Sequence, residues 1–328
     1  MPKIVTVLTA ALVLSCASGI LSAQQNMSGA DVEVYKVRDN FYMLIGAGAN
    51  IGVQIGSDGV VLVDTGSPGM SAKVLEAIKK LTPQPIRYII DTSADADHVG
   101  GNEPLAKSGA GLGTGANAGP VTIEAAIEVL NRMSAPTGKN APYTVAAWPT
   151  ETLAESDRIK SMSLNEDGIQ AIRAPAAHSD GDIMVLFRRA DVIMAGDILD
   201  TTRFPVIDIE KGGTVQGEIA ALNRLAGELA IPATPLVWKH GGTLVVPANG
   251  FVCDQADIVE YRDMMIVIRD TIRDLIGQGK TLDQIRQANP TEPYRARYGS
   301  DAGSWTTDMF VESVYRSLLS ENKQGGKQ

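Results

Sequence analysis

Two hairpin signals stand back to back before any helical signal, and they constrain the fold more than any other feature of the chain. Val32–Val37 and Phe41–Ile45 read as strands around the polar turn Arg38-Asp39-Asn40. Asn50–Gly56 and Val60–Asp64 read as a second pair around Ser57-Asp58-Gly59, whose glycine tolerates positive φ. The periodicity then switches. Ser71–Leu81 places Val74, Leu75, Ile78 and Leu81 at helical spacing, and Pro83 and Pro85 stop it. Ile86–Asp91 returns as a buried strand. Strand pairs followed by strand–helix alternation predict an α/β chain with a mixed sheet and helices outside it.

The rest of the chain continues that pattern less regularly. Gly109–Pro120 reads as a flexible loop, because Gly113-Thr114-Gly115 lacks the strand–turn–helix context of a phosphate-binding turn. Val121–Met133 reads as a helix, and Ser134–Pro149 as an excursion carrying Tyr143 and Trp148. Gly168–Arg173, Ile183–Arg188 and Val192–Ala195 resume the strands, Gly217–Leu229 is helical, and Pro235–Val246 is strand-like. Ile258–Gly277 reads as a long amphipathic helix with a solvated charged face, and Leu282–Gln287 and Thr307–Leu319 as closing helices. A chain of 328 residues with 44% hydrophobic side chains can bury a large core, which excludes disorder for most of it. With 38 acidic against 29 basic residues the net charge is −9, and without a basic patch this argues against non-specific binding to nucleic acid or anionic lipid.

The first residues read as a targeting segment. Lys3, the apolar run Ile4–Leu14 and the small residues up to Ala23 make a secretory signal at 1–23, too short to span a bilayer. The mature protein, periplasmic or secreted, then starts at Gln24. Val13-Leu14-Ser15-Cys16 offers the alternative of a lipoprotein with a lipid anchor at Cys16. On either reading Cys253 lacks an intramolecular partner, and no disulfide supports the fold.

Five loop segments carry the chemistry: Val63-Asp64-Thr65-Gly66, Asp91-Thr92-Ser93-Ala94-Asp95-Ala96-Asp97-His98-Val99-Gly100-Gly101-Asn102, Ala177-His178-Ser179-Asp180-Gly181-Asp182, Ala195-Gly196-Asp197-Ile198 and Val246-Pro247-Ala248-Asn249-Gly250. In order and spacing, over Val32–Asn249, the chain resembles the metallo-β-lactamase-fold hydrolases. That resemblance implies a four-layer αββα sandwich at 24–254, with the site on loops along one edge. It also implies a helical C-terminal extension, 255–328, packed on the same domain.

Carried over position by position, the family's metal motif departs three times: Ser93, Asp95 and Asn249 stand where the family has histidine. The chain has only three histidines, and His240 lies off the motif, so an ordinary dinuclear zinc site is excluded. The resemblance implies one metal position at Ser93, Asp95 and His178 and another at Asp97, His98 and Asn249, with Asp197 between them. The second keeps the better ligand set. Oxygen ligands in place of imidazole favour harder ions, so the site takes one divalent metal, Zn, Mn or Fe, or none. Carboxylates converging in a pocket repel unless a cation, protonation or imidazolium offsets them.

Asp97 is the catalytic candidate, orienting a water and shuttling its proton. Asp64 reads as support for the metal loop, Gly100, Gly101 and Asn102 as a helix start, His240 as a surface residue with a substitute ligand as the alternative, Phe204, Trp148 and Trp238 as core with a substrate pocket as the alternative, and Cys253 as an inert buried thiol. The expected function is metal-assisted hydrolysis of an ester, lactone, amide or phosphoester through an altered, mononuclear site in the cell envelope. Asp197 points toward glyoxalase-, lactonase- or phosphodiesterase-like members rather than β-lactamases, where that position holds Cys or Ser. The alternative is a non-catalytic pseudo-enzyme that binds a small-molecule ligand or partner in the same cleft.

Overall fold

The computed structural model describes residues 31–113, 118–136, 140–234 and 241–325, with side chains to 321. The signal segment, Cys16, Trp238 and His240 lie outside the described residues. Strands β1 (Glu33–Arg38), β2 (Phe41–Ile45), β3 (Ile51–Gly56) and β4 (Gly59–Val63) form an antiparallel meander. Helix α1 (Ser71–Leu81) crosses over to β5 (Ile86–Ile90), which pairs parallel with β4. Two short helices, α2 (Ala96–Val99) and α3 (Asn102–Ser108), follow β5. Then β6 (Thr122–Ala126), helix α4 (Ile127–Ser134) and β7 (Glu151–Leu153) complete a seven-stranded sheet in chain order.

The second sheet has five strands: β8 (Ile159–Leu164), β9 (Asp167–Arg173), β10 (Ile183–Phe187), β11 (Val192–Asp200) and β12 (Leu244–Asn249), ordered β12-β11-β10-β9-β8. Only the β11–β12 pair is parallel, because helix α5 (Val215–Arg224) crosses between them. Helices α6 (Gln255–Gly277), α7 (Leu282–Ala288), α8 (Glu292–Tyr298) and α9 (Thr307–Gly325) close the chain. Asp254 and Asp257 start α6 with a reciprocal capping box. None of the described helices is long and apolar enough to cross a membrane.

Three apolar cores separate the layers, and the strand sequences explain them. In β4 every residue is buried, yet Val61 and Val63 join the core between the sheets while Val60 and Leu62 join the core under α1 and α3. In β10, Ile183, Val185 and Phe187 face the other sheet, whereas Met184 faces the outer core with Leu222, Tyr261 and Phe310 from α5, α6 and α9. A strand buried on both faces reads as a continuous apolar run for this reason. Phe41 and Phe187 meet edge to face at 4.8 Å across the sheets. The architecture is therefore αββα, with the C-terminal helices on the outer face of the second sheet.

One expected element is corrected. Val121–Met133 is not one helix: Thr122–Ala126 is β6, paired with β5 and β7, and only the part from Ile127 is helical. Ile123 fills the outer core and Ala125 the inter-sheet core, a two-sided burial that short apolar runs do not reveal by period. β11 also runs past Ala195 to Asp200, so Asp197 sits on a strand. Phe204 is core, stacked on Phe310 at 4.7 Å. Burial pushes the Cys253 thiol up to about 12.

Candidate functional site

The site lies where β4, β5, β9, β11 and β12 deliver their carboxyl ends to one edge of the sandwich, the side on which α/β sheets present ligands. Asp64 follows β4 in a left-handed conformation, φ 64°. Its carboxylate accepts from the Thr92 amide and hydroxyl, both at 2.8 Å, and lies 3.0 Å from His98 Nδ1. The next residue, Thr65, donates from its amide and hydroxyl to the His98 carbonyl at 2.7 and 2.8 Å. Asn102, at the start of α3, accepts from Thr65 and donates to Asp91. Five polar side chains, Asp64, Thr65, Asp91, Thr92 and Asn102, thus lock α2 against β4 and hold His98 in place. It is fully buried, with Nε2 3.1 Å from Asp197 Oδ2.

His178 follows β9 in a turn held by Asp182, whose carboxylate accepts from the Ser179 amide at 2.6 Å and hydroxyl at 2.7 Å. Nδ1 of His178 lies 2.8 Å from the Val206 carbonyl, so it carries the proton. Nε2 is then aimed at Asp95 Oδ2, 3.3 Å away, and Asp197 Oδ2, 3.7 Å away. The loops around 176–180 and 206–214 are zipped by backbone bonds, Asp208 to His178 at 2.9 Å and Asp180 to Lys211 at 3.0 Å. Gly212 turns the second loop with φ 85°. Gly213 passes so close that a Cβ there would stand 2.1 Å from the His178 carbonyl oxygen. Gly213→Ala should therefore cost about 1–3 kcal/mol and loosen His178, measured by denaturant unfolding. An unchanged midpoint would contradict the packing.

This zipper delivers a residue that sequence reasoning missed. Lys211 Nζ is 2.6 Å from Asp95 Oδ1 and 3.0 Å from Asp208 Oδ2. A lysine among acids in a loop carries no signal by itself, since it reads as surface.

The electrostatics follow from burial and these pairings. Burial pushes the Asp95 carboxyl up, but the nearby His178 imidazole and the hydrogen bond from Lys211 outweigh it and bring it down to about 2. Burial pushes His178 down, yet the Asp197 charge and the Asp95 carboxylate beside it raise it to about 10. His98 is likewise raised, its burial outweighed by Asp197 and Asp64. Asp197 is held well below the usual carboxylate range, because His98, His178 and the Ser93 hydroxyl overcome its burial. Asp97 goes the other way: burial raises it, and the Asp197 and Asp95 charges add to that against His98.

A pH dependence follows for the metal-free protein. A histidine raised from its ordinary 6.5 contributes stability that is complete below 6.5 and lost as pH climbs through about 10. The melting temperature in chelator should fall from pH 7 to pH 10. His178→Ala should flatten that limb, and an equally steep limb in the variant would refute the assignment.

Of the residues expected to bind metal, the structure brings Asp95, His178 and Asp197 together, with ligand atoms within 4.8 Å of one another. His98 Nε2 reaches the same Asp197 oxygen from the other side. Asn249 points elsewhere: its amide nitrogen donates to Asp200 at 3.3 Å. The first metal position, the poorer of the two by ligand type, is thus the one whose atoms converge. A divalent ion fits there on one observation: the buried atoms His98 Nε2, His178 Nε2 and Asp197 Oδ2 have no aligned hydrogen bond. Ligand atoms around one ion at about 2.1 Å stand roughly 3.0–3.5 Å apart, close to the spacing from His178 to Asp95 and Asp197.

Comparison with known proteins agrees with this fold. A family model described as the metallo-beta-lactamase superfamily matches residues 45–235. Among solved structures, a double mutant of the sec-alkyl sulfatase PisA1 is similar at a TM-score of 0.65 and 14% identity over 88% of this chain and 50% of that one. The stereoselective inverting sec-alkylsulfatase Pisa1 from Pseudomonas sp. is similar at 0.60 and 13% identity, with the same coverage of 88% and 50%. A metallo-beta-lactamase from Pontibacter korlensis is similar at 0.55 and 16% identity over 72% of this chain and 99% of that one. The chain spans about half the length of the two sulfatase chains it matches. No curated protein matches it in sequence. A family match over more than half of the sequence, on a two-sheet sandwich of this topology, places the chain in the metallo-beta-lactamase superfamily.

Proposed function

We propose that the protein is an exported hydrolase that works with one divalent ion held by Asp95, His178 and Asp197. The observation that carries this reading is the convergence of those ligand atoms with three buried polar atoms that lack aligned hydrogen bonds. Such an ion, when bound, lowers the pKa of a water and polarises the oxygen of the scissile group. Asp97 takes and returns the proton, its carboxyl raised above the usual carboxylate range by burial. His98 keeps Asp197 ionised and fixed from behind. Substrates are small esters, lactones, amides or phosphoesters, and the sulfatase-like neighbours add sulfate esters to that class. Residues 1–23 direct the chain to the cell envelope or beyond, which N-terminal sequencing of the exported protein tests.

A second reading has its own observation. The carboxylates of Asp64, Asp95, Asp197 and Asp208 face His98, His178 and Lys211, so with both imidazoles protonated the network comes within one charge of neutral. That charge balance suits a metal-free pseudo-enzyme that binds a ligand in the cleft. Thermal melts with and without Mn or Zn, run beside chromogenic ester, lactone, phosphate and sulfate substrates, separate the two. The hydrolase reading expects stabilisation by metal, and turnover that chelator removes. Identical melts and no turnover would leave the binding protein.

A further inference from the structure

We propose that Lys211 is a resident cation that competes with the divalent ion for Asp95 and so holds the centre to one weakly bound metal. The inference rests on the metal-binding reading above and deepens it. Asp95 divides its carboxylate: Oδ1 takes the Lys211 ammonium at 2.6 Å, and Oδ2 faces His178 Nε2 at 3.3 Å. An ion on Oδ2 therefore shares its ligand with a full positive charge across one carboxyl group. That ammonium is built in. The backbone zipper fixes the turn that carries Lys211, and Asp208 grips both ends of the residue, accepting from its amide at 3.1 Å and lying 3.0 Å from its Nζ. Its side chain is only 35% exposed, so water does not fully screen the charge.

The direction of the effect follows from charge alone. Removing one positive charge beside the site favours a cation there, and a divalent ion feels that charge about twice as strongly as a monovalent one. Net metal affinity must rise.

The test is isothermal titration of Mn and Zn, at pH 7.5 in the absence of chelator, into wild type, Lys211→Met, Lys211→Gln and Lys211→Arg. The two uncharged variants should bind one ion about tenfold tighter or more, while Lys211→Arg stays as weak as wild type. Circular dichroism certifies folding, and Lys211→Gln keeps a polar group for Asp95 where the methionine variant fails to fold. Unchanged or weaker affinity in the folded uncharged variants, with wild type binding, overturns the role of Lys211 and leaves the hydrolase standing. Binding only in the uncharged variants supports the role of Lys211 and removes the metal from the wild-type reading. Absence of binding in all four overturns both.

Discussion

Asp197→Ala should remove metal-dependent stabilisation and turnover together, with turnover down about a thousandfold or more, the several kcal/mol that a metal-held charge supplies. Asp197 is the one carboxylate that both imidazoles address, His98 Nε2 at 3.1 Å and His178 Nε2 at 3.7 Å. Asp95 is tied to Lys211 and Asp64 lies behind His98, so neither takes its place. Asp97→Ala should behave differently. It should abolish turnover but keep the metal-dependent rise in melting temperature, since Asp97 is not among the converging ligand atoms. His178→Ala should cost as much as Asp197→Ala, because its Nε2 belongs to the position where ligands gather. Melts and steady-state kinetics on the three variants check this. Retained metal stabilisation in Asp197→Ala would be fatal to the ligand assignment.

The second large effect is on stability. His98→Leu should destabilise the protein by about 3–5 kcal/mol, because removing one partner of a buried ion pair leaves its charges uncompensated. Here two carboxylates, the buried Asp64 and the largely buried Asp197, would face each other across an apolar side chain. Asp64→Asn should recover part of the loss in the double variant, since the pair belongs to one network and cannot be additive. Denaturant unfolding of the single and double variants supplies the cycle. Strict additivity would show that Asp64 and His98 act independently.

The parts of the fold that were legible are those whose local pattern and tertiary role agree. The hairpins at β1–β2 and β3–β4 combine a polar turn with apolar strands, and α1 runs over the expected residues because its apolar face is its only buried one. The missed strands lack such agreement. β7 has three residues. β8, at the sheet edge, alternates exposed and half-buried side chains, including Ile159 and Lys160, and reads as loop. β6 is buried on both faces, where strand and helix look alike.

For the site, the sequence carries the identity of Asp64, Asp95, Asp97, His98, His178 and Asp197 through loop spacing, but not their grouping. Whether Asn249 meets a metal or Asp200 depends on how β11 and β12 end, a matter of the second sheet's packing. Lys211 is illegible for a different reason. Its role comes from the zipper between two loops some thirty residues apart, and only the Gly212-Gly213 pair hints that the chain there passes close to something.

The central claim is that one divalent ion sits among Asp95, His178 and Asp197. Anomalous diffraction from wild-type crystals soaked in Mn at pH 7.5 tests it most directly. The account predicts a single peak bonded to Asp95 Oδ2, His178 Nε2 and Asp197 Oδ2. A peak held instead by Asp97, His98 and Asn249, or no peak at millimolar metal, would contradict it.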